Sequence, residues 1–553
     1  MKKKFMAALL TVAVVAAVFS GCGSSSGSSA STDTSSDEKV EEAVAEADTA
    51  VEAAGEQTDA GDPKYGGVVR IGTHLVTPAP GYTPENTTNA SLMYLNIAYE
   101  SMIEYGADGS LQPRLATSWE TDPEEPSITW TLREGVQFAD GTDFNAEAVK
   151  RNIEEYQSCN RNETANVASC EIIDDHTIKM VLDHWDSSTL ESVGWFVYYM
   201  SPDALEDVDS LRTASCGTGP FQVSDFNINV SVKYTKNENY WQEGKPYLDG
   251  VEVYIVEETT TRATAFEAGE YDIVRMNDLT LSQDINAIGE NNFGKIIMEQ
   301  NQTGQGLIMT GLIPNSADEN SPFADSRVRL AMACAIDVDS LIDAFGYGML
   351  TSTDQWAAPT AVTYNTELNA VHYDPEHAKE LLAEAGYPDG FDTVLTTNPG
   401  NSDIFTAAAN MLDEVGIRCR VDLVDESAQV NLYSTGTWEG IMGHYASIAP
   451  DLGLYMGRHL DTTGAFYAKG IQHPDEEMTL LQEIRTAATD EEKIDYEHQM
   501  QAQLYDFETG SALFGRPLFI QNEPVFKYDY VVDDHMSVYN FSSWTPADCW
   551  INK

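Results

Sequence analysis

The sequence predicts a mixed α/β protein with more than one domain, and three observations support that fold class. The chain has 553 residues, which is too long for a single small hydrophobic core. Ile128, Trp130 and Leu132 alternate with polar residues, which is the period-2 pattern of a strand with one buried face. A helix pattern follows over residues 146–156. We therefore expect a strand, a turn and a helix in this stretch.

The elements between that strand and that helix have local signals of their own. Residues 136–138 predict the start of a short second strand, and the Asp-Gly dipeptide at 140–141 is typical of a tight turn. Asn145 stands where an N-cap belongs. Phe144 and Val149 have the spacing of a hydrophobic staple, which favours a helix start at this point.

The charge of the chain excludes one class of partner. Asp and Glu total 89 against 31 Lys and Arg, a formal net charge of −58. Such a surface repels nucleic acid and anionic lipid headgroups, so we expect no nucleic-acid partner. We interpret the charge as an adaptation to solubility in a salty or crowded exterior. Attraction of a cationic ligand is the alternative, and net charge alone does not decide between the two.

Residues 1–21 predict an export signal. Lysines occupy positions 2–4, and the apolar run at 7–19 is too short to span a membrane comfortably. Residues 19–22 read Phe-Ser-Gly-Cys and resemble the bacterial lipobox, with Phe where Leu is most usual. The thiol of Cys22 would then carry a diacylglycerol and anchor the protein to the outer face of the cytoplasmic membrane. An ordinary secretory signal is the alternative.

Residues 22–64 predict an acidic, Ser-rich linker. The segment consists largely of Gly, Ser, Thr, Ala and acidic residues, and it has too few apolar side chains to form a core. A coil of this length reaches on the order of 35 Å, which is enough to lift a folded domain off a membrane.

Further along the chain, strand, turn and helix signals continue to alternate. Residues 65–72 predict an opening strand, and the Gly-Thr-Gly-Pro run at 217–220 predicts a sharp reversal. Apolar side chains at i, i+3, i+4 and i+7 predict a helix over residues 328–335. Asp374 is placed as the cap of a helix that begins with a proline and ends at Gly386.

One long segment resembles a known family. Residues 114–149 contain Arg-Leu-Ala-Thr-Ser-Trp and then Trp-Thr-Leu-Arg-Glu-Gly-Val-Gln-Phe-Ala-Asp-Gly-Thr-Asp-Phe-Asn-Ala-Glu-Ala-Val. This resembles the hallmark segment of the family 5 extracellular solute-binding proteins, which include the oligopeptide-, dipeptide- and nickel-binding proteins that feed ABC importers. Further matches occur at 215–221, 237–241, 266–273 and 373–387. The resemblance begins near residue 65, runs almost to the end of the chain and weakens after residue 430.

The resemblance implies a type II periplasmic-binding-protein fold. In that fold two lobes and an additional domain surround a ligand site between the lobes, and the lobes close on the ligand by a hinge. Transferred to this chain, lobe I comprises 65–98, 215–310 and 525–553. The additional domain comprises 99–214, and lobe II comprises 311–524.

The resemblance also implies a function. The protein would be the substrate-binding lipoprotein of an ABC importer that captures extracellular oligopeptides or dipeptides and delivers them to the permease and ATPase complex. It would work as a monomer, without a cofactor and without catalysing a reaction. The alternatives are a receptor for a metal chelate, a cationic small molecule or a glycan, and a surface lipoprotein with no transport role. A secreted hydrolase is a further rival, but no catalytic or metal-binding motif supports it.

Five residues are candidates for the ligand site: Trp356, Trp438, Tyr445, Ser447 and Asp451. In peptide-binding members of the family, an aspartate in this region holds the amino group of the peptide, a buried charge that needs a partner. Ser447 falls at that position, unless a slip of a few residues gives the role to Asp451. For the aromatic candidates, packing in the core is the alternative. We expect Trp438→Ala and Tyr445→Ala to weaken ligand binding and to leave the fold intact.

The cysteines allow one disulfide bridge. Cys159 and Cys170 lie eleven positions apart, and an exported protein meets an oxidising environment. Two free thiols are the alternative. The remaining cysteines are too scattered to form a metal-binding set, so the sequence predicts no metal site.

Overall fold

The computed structural model describes residues 61–553 except 87–88, 107–109, 278, 289–295, 300–307, 360, 369–370, 400–401, 449–450, 463, 465–466, 513–514, 522–523 and 537–543. The predicted export signal, Cys22 and nearly all of the predicted linker lie outside the described residues. Within the described ranges, no helix is both long enough and apolar enough to cross a membrane.

A seven-stranded sheet forms around the strand at the start of the described chain. Val68–Thr73 lies parallel to Gly250–Ile255 on one side and to Ile273–Arg275 on the other. The strands follow each other across this first sheet in the order Ile296–Glu299, Val525–Tyr528, Ile273–Arg275, Val68–Thr73, Gly250–Ile255, Ser231–Lys236 and Phe221–Asn227. Strands from both ends of the chain therefore meet in one sheet.

A six-stranded sheet occupies the C-terminal half of the chain. Phe391–Thr397 lies parallel to Ile417–Leu423 and to Ile441–Ser447. The order across this second sheet is Leu350–Ser352, Arg516–Gln521, Ile308–Pro314, Ile441–Ser447, Phe391–Thr397 and Ile417–Leu423.

A four-stranded antiparallel sheet contains the strand predicted around Trp130. Its strands follow the order Ala116–Asp122, Ser127–Leu132, Thr177–Leu182 and Val167–Asp174. Two small two-stranded ladders pair Ile103–Tyr105 with Leu111–Pro113 and Val531–Val532 with Trp550–Ile551. The prediction of a mixed α/β protein is confirmed.

The helices lie between these strands. They occupy Asn89–Ala98, Ala146–Ser158, Ser188–Trp195, Val208–Leu211, Thr259–Glu267, Leu279–Ile288, Ser326–Cys334, Val338–Phe345, Pro375–Glu384, Ser402–Val415, Glu426–Thr435, Leu452–Leu460, Asp475–Thr486 and Asp490–Leu504. Short 3₁₀ turns occupy Thr83–Glu85, Asn162–Thr164, Ala204–Asp207 and Pro322–Ala324.

The predicted helix starts are confirmed in atomic detail. The side chain of Asn145 accepts a hydrogen bond from the backbone N–H of Ala148 at 3.0 Å. The side chain of Asp374 accepts one from the N–H of His377 at 2.9 Å. Each cap satisfies one of the amide groups that the first turn of a helix leaves without a partner. Gly386 has φ +97, a conformation that favours glycine and ends the second helix.

One predicted strand is wrong. Residues 136–138 form no ladder of their own and contribute only a single bridge between Gln137 and Asp143. The Asp-Gly dipeptide at 140–141 does form the predicted tight turn, in which the N–H of Gly141 donates to the carbonyl of Phe138 at 2.9 Å. The turn follows so soon after Phe138 that the chain has no room for a longer ladder.

The hydrophobic cores follow the sheets. One continuous core contains Val69 and Val253 of the first sheet together with Ile128 and Trp130 of the four-stranded sheet. Two further cores border the second sheet. The first of them contains Leu395 and its neighbours, and the other contains Met309, Trp356, Trp438 and their neighbours. The first and the four-stranded sheets thus share a core, which is separate from those of the second sheet.

Asp272 ties the C-terminus to the first sheet. Its side chain is 1% exposed and accepts hydrogen bonds from the Arg70 guanidinium at 2.9 Å and from the Tyr530 hydroxyl at 2.7 Å. The ammonium of Lys553 lies 3.3 Å away. Burial by itself would raise the pKa of Asp272, but these donors, Arg70 above all, hold it below its ordinary value.

We expect Asp272→Asn to lower the free energy of unfolding by about 2–3 kcal/mol, because it removes a buried anion that several donors share. Urea titration followed by circular dichroism measures this change. The loss should be present at neutral pH and should begin to shrink as the pH falls below 3.8, the ordinary pKa of an aspartate. It should vanish only below the lowered pKa of Asp272, where the carboxylate of the folded wild type is protonated as well. Asp392→Asn is the control. Its carboxylate pairs with Arg418 on the surface, so its effect should stay below about 1 kcal/mol. Equal losses in both variants would contradict this account.

Candidate functional site

The candidate site lies where the two large sheets are joined. Parallel strands of the first sheet end at Thr73, Ile255 and Arg275, and this edge is its carboxyl edge. Parallel strands of the second sheet end at Thr397, Leu423 and Ser447, which lie at the carboxyl edge of that sheet.

The chain crosses between the sheets twice, and each crossing leaves one carboxyl edge and enters the other. Glu299 ends a strand of the first sheet, and Ile308 opens a strand of the second sheet opposite Ser447. Gln521 lies opposite Ile308, and Val525 begins its strand opposite Arg275. The two carboxyl edges are therefore held near each other. Ligands of open α/β sheets bind outside the carboxyl ends of the strands, so this junction is the candidate site.

Trp356 and Trp438 lie in the core beside the second sheet. Trp356 is 1% exposed, and its ring centroid lies 5.1 Å from that of His459. Trp438 is 3% exposed and stacks on Tyr433 with a centroid distance of 6.1 Å and an interplanar angle of 10°. The structure gives both indoles the surroundings of core residues. Their predicted contact with a ligand stays a prediction.

Sequence reasoning missed a buried pair of histidines next to these indoles. The hydroxyl of Tyr433 lies 2.9 Å from Nδ1 of His459, and its ring stacks on His444 at 4.6 Å. Burial lowers the pKa of His444 to about 4 and that of His459 to about 3. Both imidazoles are therefore neutral at physiological pH. They act as hydrogen-bonding and stacking groups behind the carboxyl edge.

Tyr445 and Ser447 lie at the carboxyl edge itself. Both belong to the strand Ile441–Ser447. Tyr445 is half-buried, pairs with Thr310 across the ladder and stacks on His444 at 5.7 Å. Ser447 is the last residue of the strand and pairs with Ile308.

The carboxylate of Asp451 has an amine partner within the chain. Asp451 caps the helix Leu452–Leu460 by accepting a hydrogen bond from the N–H of Leu454 at 2.6 Å. Its other oxygen lies 2.7 Å from the ammonium of Lys493. Burial would raise the pKa of Asp451, but Lys493 holds it below its ordinary value. The charge that sequence analysis assigned to a ligand amine is therefore balanced by Lys493.

Further carboxyl groups surround the same lysine. We define the Lys493 cluster as Tyr105, Glu191, Asp451, Lys493 and Glu497. The ammonium lies 3.9 Å from Oε1 of Glu191, and the hydroxyl of Tyr105 donates to Oε2 of Glu191 at 2.7 Å. Glu497 accepts hydrogen bonds from the N–H groups of Leu452 at 3.1 Å and Gly453 at 3.4 Å. Lys493 and Glu497 lie four residues apart on the helix Asp490–Leu504, but Tyr105, Glu191 and Asp451 come from distant parts of the chain, so no local pattern joins all five residues.

Both cysteines of the predicted bridge are free thiols in the structure. The sulfur of Cys159 lies 3.2 Å from the hydroxyl of Tyr82, and Cys170 is half-buried in the strand Val167–Asp174. Across the described ranges, no group of three or more His, Cys, Asp or Glu side chains is arranged to hold a metal ion.

The curated proteins that resemble this chain include a heme-binding and a glutathione-binding protein. Heme-binding protein A of Haemophilus influenzae is 30% identical over 335 residues, which cover 54% of this chain and 58% of that protein. A glutathione-binding protein of Salmonella typhi is 28% identical over 368 residues, which cover 65% of this chain and 69% of that protein. The matched region thus spans less than two thirds of the first relative and slightly more than two thirds of the second.

A solved structure covers more of the chain. The periplasmic binding protein DppA from Helicobacter pylori, in complex with the peptide STSA, superposes with a TM-score of 0.67 at 22% identity. The superposition covers 89% of this chain and 99% of that protein. At this identity the likeness supports the fold alone, and it confirms the predicted periplasmic-binding-protein fold.

The family follows from a match along most of the chain. The profile of the bacterial extracellular solute-binding proteins, family 5 Middle, matches residues 110–467. This region includes the segment that carried the resemblance in the sequence, and it extends through the strand that ends at Ser447. The chain therefore belongs to family 5 of the bacterial extracellular solute-binding proteins.

Proposed function

We propose that this protein is the receptor of an ABC importer and that it binds a small peptide or peptide-like solute between its two large sheets. Membership of family 5 supports the role of a solute receptor. The observation that carries the proposal is the double crossing at the carboxyl edges, which forms a site that can open and close around the link. The receptor makes no covalent bond and passes its solute to a permease and ATPase complex.

The division into lobes is part of the same proposal. All strands of the first sheet fall within the segments assigned to lobe I, 65–98, 215–310 and 525–553. The second sheet falls within 311–524, except for the first three residues of Ile308–Pro314. The four-stranded sheet falls within 99–214, the proposed additional domain. This agreement supports two lobes that close over a solute, with the additional domain attached to lobe I through a shared core.

A peptide-class solute is supported by the relatives. One relative is named for glutathione, and the superposed DppA structure contains a tetrapeptide. A non-peptide solute, such as a metal chelate, is the second candidate, since another relative is named for heme. Lys493 favours this second candidate, because an aspartate that is already paired has less to offer a peptide amine.

Native mass spectrometry of the full-length protein, followed by release of bound compounds under denaturing conditions, tests the proposal directly. A mixture of short peptides would support a general peptide receptor. A single bound compound that is not a peptide would identify that compound, rather than a peptide, as the solute. Thermal shifts with glutathione, dipeptides, tetrapeptides and heme provide the second measurement. A protein that captures none of these compounds and co-purifies with nothing would contradict the proposal.

We expect Tyr445→Ala to raise the Kd of the co-purified solute about tenfold or more, because it removes a ring at the carboxyl edge. Its free energy of unfolding should change by less than about 1 kcal/mol. Isothermal titration calorimetry and urea titration measure the two quantities. If Tyr445→Ala bound the solute with wild-type affinity, Tyr445 would not be part of the ligand site.

Trp438→Ala is the matched comparison, and here the structure revises the expectation drawn from the sequence. Because Trp438 is buried in the core, its loss should cost about 3–5 kcal/mol of stability rather than leave the fold intact. Any loss of affinity in this variant should appear together with that loss of stability. If Trp438→Ala kept wild-type stability but bound the solute more weakly, the contact of Trp438 with the ligand would be supported after all.

We further propose that Cys22 carries the lipid that holds the receptor on the outer face of the cytoplasmic membrane, with the acidic linker as a spacer. Cys22→Ala should release the protein from the membrane fraction into the medium or the periplasm, as measured by immunoblotting of cell fractions. Cys159→Ala, which leaves the signal region unchanged, is the control and should stay on the membrane. Full retention of Cys22→Ala on the membrane would contradict the anchor.

A further inference from the structure

Residues 184–191 and 484–497 form a contact between parts of the molecule that have separate cores. Leu190 and Val193 belong to the core shared by the first and the four-stranded sheets. Leu480 and Ile484 belong to the core beside the second sheet that contains Trp356. In terms of the proposed lobes, this contact joins the additional domain to lobe II. It can form only when the two are closed against each other.

Part of the contact consists of hydrogen bonds to the end of a helix. The N–H of Ser187 donates to the carbonyl of Arg485 at 2.7 Å, and its hydroxyl donates to the carbonyl of Ile484 at 2.8 Å. The indole N–H of Trp185 donates to the carbonyl of Ala487 at 2.8 Å. These carbonyls lie at the end of the helix Asp475–Thr486, where a helix provides few donors of its own, and that of Ile484 also accepts from the N–H of Ala487 at 3.4 Å. Protonation of side chains does not alter these bonds.

The other part of the contact is ionic and enters the Lys493 cluster. Glu191 is 6% exposed and lies between the hydroxyl of Tyr105 at 2.7 Å and the ammonium of Lys493 at 3.9 Å. The same ammonium lies 2.7 Å from the carboxylate of Asp451, so two acids from parts of the molecule with separate cores meet at one cation.

We propose that Glu191 is a proton-dependent latch: the additional domain and lobe II close with a proton held on Glu191 beside Lys493, and loss of this proton favours opening. The inference rests on the proposed function, because closure over a solute is the motion that such a latch controls. Closing of the receptor is then coupled to uptake of a proton, so the affinity for the solute depends on pH.

The charges around Glu191 explain why the proton is needed. The titratable groups that act on Glu191 directly are Tyr105, Asp451 and Lys493. Glu497 interacts with Lys493 and Asp451, Tyr455 with Tyr105, and Asp186 with Arg485 in the neighbouring part of the contact. Within the Lys493 cluster, three carboxyl groups share one ammonium, so full ionisation would leave uncompensated negative charge in a buried contact. Burial, followed by the charge of Asp451, raises the pKa of Glu191 well above its ordinary value.

Opening affects Glu191 and Glu497 differently. Burial raises the pKa of Glu497 to about 8, but its hydrogen-bond donors, Leu452 and Gly453, lie in the same part of the molecule. Glu497 therefore keeps its surroundings when the parts separate. Glu191 leaves the cluster together with its helix, Ser188–Trp195, and regains water. It is thus the group whose pKa falls on opening.

The direction of the pH effect follows from this change. In the open form the pKa of Glu191 returns towards its ordinary value of 4.5, whereas in the closed form it lies well above that value. The latch is therefore complete below about pH 4.5. It weakens as the pH rises and is lost once the pH passes the pKa of the closed form. Between these limits, one proton taken up on closing changes the closing equilibrium by up to about tenfold per pH unit.

Small-angle X-ray scattering of the full-length chain carrying Cys22→Ala, without solute, tests the latch. We expect the radius of gyration to increase as the pH rises from 5.5 to 9. Glu191→Gln should abolish this increase and stay closed, because a neutral amide can still accept from Tyr105 and does not titrate. Glu376→Gln is the matched control. Its carboxylate pairs with Lys379 on an exposed helix, so it should behave like the parent chain.

A second variant tests the same contact through the pH at which half of the increase in the radius of gyration has occurred. The hydroxyl of Tyr105 donates to Glu191 and favours its ionised form. Tyr105→Phe should therefore shift the expansion to higher pH, while circular dichroism shows an unchanged fold. A radius that does not change with pH in the parent chain, a transition that persists in Glu191→Gln, or a midpoint in Tyr105→Phe that is unchanged or lower would each overturn the proposal.

The outcome for the latch is separate from the outcome for the receptor. Solute capture, measured by native mass spectrometry at pH 5.5, together with an invariant radius, would reject the latch and leave the receptor standing. A radius that depends on pH and on Glu191 in a protein that captures no solute would support the latch as a closing device and reject the proposed receptor.

Discussion

The two crossings between the sheets constrain every other feature of the site. Gln521 ends a strand of one sheet and Val525 begins a strand of the other, so the carboxyl edges can separate by no more than about 14 Å at that link. Relative motion of the sheets is consequently limited to rotation about the crossings. The residues placed at the junction are those of the strand ends and of the segments that follow them. Tyr445 and Ser447 are among them because of their place in the ladder.

Buried charges in this protein have two different roles. Asp272 has Arg70 as a partner within the first sheet, and this pair fixes the position of the C-terminus. Asp451 also has a cationic partner, Lys493, but the same ammonium is approached by a further acid, Glu191, from a part of the chain with a different core. A buried ion pair whose two partners belong to the same core stays paired when the parts of the molecule move. A buried group whose partners belong to two cores changes its environment whenever those parts move.

The aromatic residues near the junction divide in a similar way. Trp356 and Trp438 fill the core beside the second sheet, and the neutral His444 and His459 pack with them. Tyr445 stacks on the outer side of this group and remains half-buried. The buried aromatic residues therefore form a packed layer behind the carboxyl edge. Tyr445 is the residue of this group that lies nearest to that edge. The aromatic candidates of the sequence analysis were chosen by residue type alone. They therefore included both core residues, Trp356 and Trp438, and a residue at the carboxyl edge, Tyr445.

Local patterns determined much of the fold because their physics acts over a few residues. The alternation around Trp130 and the cap at Asn145 depend on neighbours within a turn or a pleat, and both predictions are confirmed. The family could likewise be recognised from one continuous segment. The partner of Asp451 could not be found in this way, since Lys493 lies 42 residues further along the chain, beyond the reach of any local pattern. Burial that follows tertiary packing decides which charges need a partner, and the topology of the sheets decides which residues are near enough to provide one.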